Sequence, residues 1–133
     1  MQATGLITIR SQVSVSETID RIVAGAARRG LIVFARIDHA DGAAKVGMQL
    51  RPTELVILGH PRGGTPLMID RQAAGIDLSV KALAWEDAEG KVWLTCNDAR
   101  WLAERHGLGP QSVDAVNAIA AGLASLAEEA TTP

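Results

Sequence analysis

The chain has one cysteine, Cys96, one phenylalanine, three tryptophans and no tyrosine. A single thiol excludes an internal disulfide. So few rings leave little on which to stack bases, and a net charge of −2 gives no electrostatic footprint for nucleic acid or an anionic membrane. The basic residues are scattered. Their densest pair, Arg28 and Arg29, falls at an expected helix end, where cations suit the helix dipole. No apolar run approaches the roughly 20 residues that cross a bilayer, and residues 1–4 run into a strand-like segment with no basic or apolar leader. The expectation is therefore a cytoplasmic protein with neither a nucleic-acid nor a membrane partner. H-x-x-x-H, H-x-H, C-x-x-C, a Walker A ending, G-x-G-x-x-G and G-x-S-x-G are all missing. No cofactor is implied, and no catalytic set can be named.

What is present is material for a core. Hydrophobic residues make up 47% of 133, enough for one domain to fold without a metal or disulfide. Residues 6–10 alternate and are rich in β-branched side chains, as strands are. Ser14 with Glu17 is a capping box, in which each side chain would take the other's backbone N–H. The helix that follows carries Ile19, Ile22, Val23 and Ala26 on one face, and Gly30 sits where a C′ glycine belongs. Residues 31–38 are almost continuously apolar and read as a central strand buried on both sides. Residues 39–47 suit one or two helical turns, and 53–58 read as a second buried strand.

That strand ends in Gly59-His60-Pro61-Arg62-Gly63-Gly64, dense in turn formers, after which Thr65 and Pro66 predict the N-cap and first residue of a helix to Ala73. Residues 80–86 and 91–96 predict a hairpin through Asp87-Ala88-Glu89-Gly90. Val80, Ala82 and Ala84 share one face of it with Val92, Leu94 and Cys96. Lys81, Leu83 and Trp85 share the other with Trp93 and Thr95. Asn97 or Asp98 caps a short helix through His106. A last helix over about 111–128 shows the stripe Val113, Val116, Ile119 or Ala120, Leu123 and Leu126, and residues 131–133 are expected to fray. Strands and helices do not alternate regularly. An α+β fold is expected, with a largely antiparallel sheet covered by helices on one face and partly exposed, or buried against a second copy, on the other.

Several pieces in order form a pattern: Asp38-His39-Ala40, Leu50-Arg51-Pro52, Gly59-His60-Pro61, Gly64-Thr65-Pro66-Leu67-Met68, Gly75-Ile76-Asp77-Leu78, Ala84-Trp85-Glu86-Asp87 with Gly90-Lys91-Val92-Trp93, Asn97-Asp98 and Arg105-His106. In order and spacing the stretch from Ile37 to about His106 resembles the DUF302 family, a group named for its unknown function. The resemblance implies a TBP-like, helix-grip arrangement, β-α-β(4)-α with extra short helices, usually as a homodimer. It carries no established activity. The family often has Asn at the position of His60 and Pro at that of Ser79, so His60 is not a family-wide requirement.

Asp38 and His39 close one expected strand and His60 closes the next, so the two imidazoles could meet. With Asp38, Asp77 or Glu86 they would make a three-ligand metal set; otherwise His39 caps a helix and His60 makes a loop hydrogen bond. The 59–65 loop opens a helix, and such a loop offers free N–H groups to an anion beside Arg62; the plainer reading is a turn and N-cap. Trp85 and Trp93 either wall a cavity or pack across strands. Cys96 reads as an inert core residue, and Arg105 with His106 as a cationic helix end.

These readings converge on a homodimeric domain that binds a small anionic ligand. Its pocket would be bordered by Asp38, His39, His60, Arg62, Gly64, Thr65 and Trp85. One alternative is a metal-dependent enzyme on His39, His60 and Asp77. The other is a structural module that dimerises through the sheet or the last helix.

Overall fold

The computed structural model describes residues 3–133. Among them β1 (Leu6–Ser11), α1 (Val15–Arg28), β2 (Ile32–Asp38), α2 (His39–Lys45), β3 (Thr53–Gly59), α3 (Pro61–Asp70), β4 (Val80–Glu86), β5 (Val92–Asn97), α4 (Ala99–Arg105) and α5 (Val113–Thr131) follow in order, with 3-10 turns at Gln72–Ile76 and Pro110–Ser112. The expected α+β architecture is there, four later strands after the first strand and helix, with short helices inserted. The sheet is antiparallel throughout, in the order β1-β5-β4-β3-β2.

Period-2 alternation decides which side chains meet the helices. Val56 and Leu58, Val80, Ala82 and Ala84, and Leu94 face α1 and α5 and are buried. From the helices come Ile19, Ile22 and Leu126, each at most 1% exposed. Each such side chain contributes roughly 1.5–3 kcal/mol of burial. α1 starts where Ser14 Oγ accepts the Glu17 N–H at 3.1 Å. The reciprocal half of the capping box is not made, because Glu17 reaches along the helix to Arg21 instead, at 3.0 Å. The α1 end is tied to α5 by Arg28 and Arg29, both paired with Glu129. On the sheet side Arg36 donates to Asp20 of α1 at 2.7 Å and to the buried Glu54 of β3 at 3.1 Å.

Three expectations are corrected. β2 is an edge strand, not a central one: Ile32, Phe34 and Ile37 are all exposed large hydrophobics. A continuous apolar run says that both faces of a strand carry apolar groups, not that both are covered. α3 begins five residues earlier than the Thr65–Pro66 signal predicts, with His60 as N-cap and Pro61 in the first turn, leaving Pro66 inside the helix. The last helix reaches into the stretch expected to fray. α5 runs to Thr131, Ala130 and Thr131 are buried, and the Thr131 carbonyl accepts the Gln12 N–H at 2.8 Å. Of its expected stripe, Val116, Leu123 and Leu126 are buried in the core, whereas Val113 faces solvent.

Candidate functional site

β3 and β4 reach one end of the sheet together, Leu58 opposite Val80. There α1 ends, α3 begins and the middle of α5 passes over. The space left among them is a cavity of about 690 Å³, the size of a small-molecule site. Its walls are aliphatic: Leu31 after α1, Leu58 and Val80 of the sheet, Met68 of α3, Ile119 and Leu123 of α5. The register shift between Val33 and Ala35 makes Phe34 a bulge residue, and it joins the lining while staying 54% exposed. Bulges often re-aim a side chain beside a site in this way.

Among the described residues the charged ones of the lining are Arg29 and Arg62, and no carboxylate lines it. Arg29 is already engaged. It donates to Glu129 at 2.6 Å, to the Gly25 carbonyl at 3.1 Å and to Ser125 Oγ at 3.1 Å. The exposed Arg62 guanidinium has no hydrogen bond or ion pair among the described residues. His60 caps α3 through its ring: Nδ1 accepts the Arg62 N–H at 3.1 Å. That bond leaves the proton of the neutral ring on Nε2, which has no partner among the described residues.

The free N–H groups expected of the 59–65 loop are not available. Pro61 has none, Arg62 N–H goes to the His60 ring, and the Gly63 and Gly64 N–H groups donate to the His60 carbonyl at 3.0 and 3.1 Å. An anion here would be met by side chains. Gly64 and Thr65 do line the cavity with His60 and Arg62.

The remaining expected site residues lie elsewhere. In the antiparallel pair of β2 and β3, Ile32 faces Gly59 and Asp38 faces Glu54. His39 and His60 therefore sit at opposite ends of seven-residue strands, about 20 Å apart along the sheet. Asp38 caps α2, its Oδ1 accepting the Asp41 N–H at 2.9 Å, and His39 is an exposed first-turn residue. Trp85 is on the uncovered sheet face, 6.3 Å from the Trp93 ring, with its Nε1 donating to Thr95 Oγ1. Asp38, His39 and Trp85 therefore do not share a pocket with His60, Arg62, Gly64 and Thr65, contrary to the expectation.

The metal set of His39, His60 and Asp77 is corrected too. Asp77 is held by His106 Nε2 at 2.5 Å and by Arg105 at 3.1 Å. No group of three His, Cys, Asp or Glu among the described residues is placed to hold a metal ion. Cys96 is buried, which pushes its thiol up to about 12 and leaves it inert at neutral pH.

Sequence reasoning missed Phe34, Met68 and Gly122 as lining residues. One signal was available, an isolated glycine in the interior of a strongly periodic helix.

Sheet, helices and cavity together define the class: an antiparallel α+β domain with a ligand-sized apolar space between its sheet and its helices. The chain belongs to the DUF302 family, described as "Domain of unknown function DUF302", which matches residues 7–127. It is 50% identical over 126 residues to the fluoride-specific ion channel FluC 1 of Brucella suis biovar 1 (strain 1330), covering 95% of this chain and 50% of that protein. The fluoride-specific ion channel FluC 2 of Brucella melitensis biotype 1 is likewise 50% identical over 126 residues, with 95% of this chain and 47% of that protein covered. The chain thus spans about half the length of these curated relatives. The crystal structure of an uncharacterized conserved DUF302 protein from Bacillus stearothermophilus superposes with a TM-score of 0.84 over 96% of this chain and 99% of that one. At 16% sequence identity the likeness is one of fold.

Proposed function

We propose that the domain binds a small organic anion in the cavity between α3, α5 and the sheet. The observation that carries this is the Arg62 guanidinium, without a partner among the described residues, at the rim of an apolar space that none of their carboxylates lines. Arg62 supplies the charge and His60 Nε2 a donor, so the anionic group sits at the α3 start and the body of the ligand displaces water from aliphatic walls. A helix-grip arrangement, with long helices closed over one sheet face, suits such an enclosure.

The channel named in the relatives needs a membrane crossing. No helix among the described residues here is long and apolar enough to make one, so we assign the pore of those relatives to their unmatched half. The domain is then an attached ligand-binding unit. A cytoplasmic setting suits its single buried thiol. Fluoride itself is a poor match for a cavity of about 690 Å³ with aliphatic walls, which would strip its hydration without replacing it.

The test is a thermal-shift panel of fluoride, inorganic phosphate and organic carboxylates on wild type, Arg62→Ala and His60→Ala. Organic carboxylates are expected to raise Tm by about 4 °C or more at saturating concentration, with the shift lost in Arg62→Ala. A shift with fluoride alone, or an undiminished shift in Arg62→Ala, overturns the reading.

A second reading rests on the uncovered sheet face. Ile37, Leu55, Ile57, Leu83, Trp85 and Trp93 share it, and we propose that a second copy covers them as a homodimer. Sedimentation equilibrium is expected to give twice the chain mass, reduced to the monomer by Leu83→Lys. A monomeric wild type removes this reading and leaves the cavity reading intact.

A further inference from the structure

We infer that the cavity is shaped for an unbranched aliphatic carboxylate, free rather than esterified, with its chain lying along α5 across Gly122; this rests on the anion reading above and specifies the ligand. Three observations lead there.

The first is chemical. Among the described residues, no lining side chain apart from Arg29, His60, Arg62, Thr65 and Ser79 carries a nitrogen or oxygen atom. With Arg29 tied to Glu129, the polar groups left are few, and His60, Arg62 and Thr65 gather at the start of α3. A ligand with polar groups along its body would leave them unpaired against hydrocarbon, at a cost. The body must therefore be hydrocarbon. Leucine, isoleucine and methionine dominate the walls, and the one aromatic ring, Phe34, stands more than half exposed. That favours a flexible aliphatic body over a stacked aromatic one.

The second is the wall that α5 presents. Ala115, Ala118, Ile119, Gly122, Leu123 and Leu126 line the cavity at spacings of three and four residues, so they form one face of the helix. Small side chains at Ala115, Ala118 and Gly122 leave space along that face.

The third is Gly122 itself. Glycine is the least favourable residue for a helix interior except proline. At Gly25 of α1 the structure gives a reason for one: an added Cβ would lie 2.5 Å from Leu126 Cδ1. At Gly122 it gives no packing reason, since an added Cβ would meet nothing within 4 Å. Nor does Gly122 have a positive φ. What this glycine does is keep the α5 wall of the cavity open.

The experiment is a calorimetric titration of the domain with acetate, butyrate, hexanoate, octanoate and decanoate. Methyl octanoate and 4-phenylbutyrate serve as probes of charge and shape, and Gly122→Leu is run beside wild type. Affinity is expected to rise about fourfold per added methylene, the value for burying ~0.8 kcal/mol each, and to level off once the cavity is filled. Decanoate should bind more tightly than 4-phenylbutyrate, which has as many carbons. Gly122→Leu should lose the gain with chain length while still binding the shorter acids, and Gly122→Ala should fall between.

Equal affinity from butyrate to decanoate, or decanoate binding unchanged in Gly122→Leu, overturns the aliphatic-chain inference and spares the anion reading. Methyl octanoate binding as tightly as octanoate overturns the anion reading instead, and with it the carboxylate assignment. Failure of every probe overturns both. Melting curves of the two variants establish that lost binding is not lost folding, because both are expected to melt no lower than wild type.

Discussion

Helix α5 has two very different neighbours. Along its C-terminal half it packs tightly on α1, with Leu126 fully buried where Gly25 lets the helices approach and Arg28 and Arg29 gripping Glu129. Around its middle it faces a cavity of about 690 Å³ with nothing opposite Gly122. One helix thus serves as core on one stretch and as an unfilled wall on the other. The difference is one of facing: Val116 still packs in a second buried cluster with Leu67 and Ala99, while Ala115, Ala118 and Gly122 look onto the cavity.

The largest expected effect falls in the packed region. Ile22→Ala removes a side chain 1% exposed in the main core and is expected to cost about 2–5 kcal/mol in urea unfolding. A cost below about 1 kcal/mol would mean that the seam is looser than its burial indicates. Next is Gly25→Ala, where the new methyl meets Leu126. Overpacking of this kind costs about 1–3 kcal/mol, and the low end is expected because Leu126 also borders the cavity and can yield towards it. Gly122→Ala has the opposite sign. With no clash and a better helix former, it should gain about 0.5–1 kcal/mol; a loss would show that the cavity is filled in solution by a repacked side chain.

The smallest effect at neutral pH is a change in the shape of the acid limb. Asp70, at the end of α3, accepts a hydrogen bond from Ser112 Oγ at 2.6 Å and from the Gly109 N–H at 2.8 Å, just before α5. The Ser112 hydroxyl, then the Gly109 amide, hold its carboxyl below the usual range. A carboxylate with a depressed folded pKa contributes stability that is present above about pH 4 and is lost as pH falls through the folded pKa. Asp70→Asn should therefore flatten the decline of stability with acid, read as Tm against pH. An acid limb as steep as in wild type would mean that this link between α3 and α5 does not carry it.

Much of the local structure was legible in the residues. Ser14 announced α1, one of the two expected caps, Asp98, opens α4, and the hairpin faces fell as alternation required, because each depends on neighbours in sequence. The α3 start was misread for a physical reason. Thr65-Pro66 is a sound cap signal, but His60-Pro61 is another, and His60 prevailed because its ring accepts the Arg62 N–H. Of the expected site residues, His60, Arg62, Gly64 and Thr65 were found together because they are consecutive or nearly so. Asp38, His39 and Trp85 were not, because their place depends on which end of the sheet each strand reaches.

By itself, then, the sequence determined the class of fold, the alternation that divides each hairpin strand into a helix-facing and an open face, and the family resemblance that residues 7–127 bear out. Hydrogen-bond capping and side-chain periodicity act over a few residues and can be read there. Tertiary structure alone decided that β2 lies at the edge, that His39 and His60 stand at opposite ends of an antiparallel pair, and that Gly122 looks into a cavity. These follow from strand order and helix placement, which are settled by contacts between residues far apart in the chain.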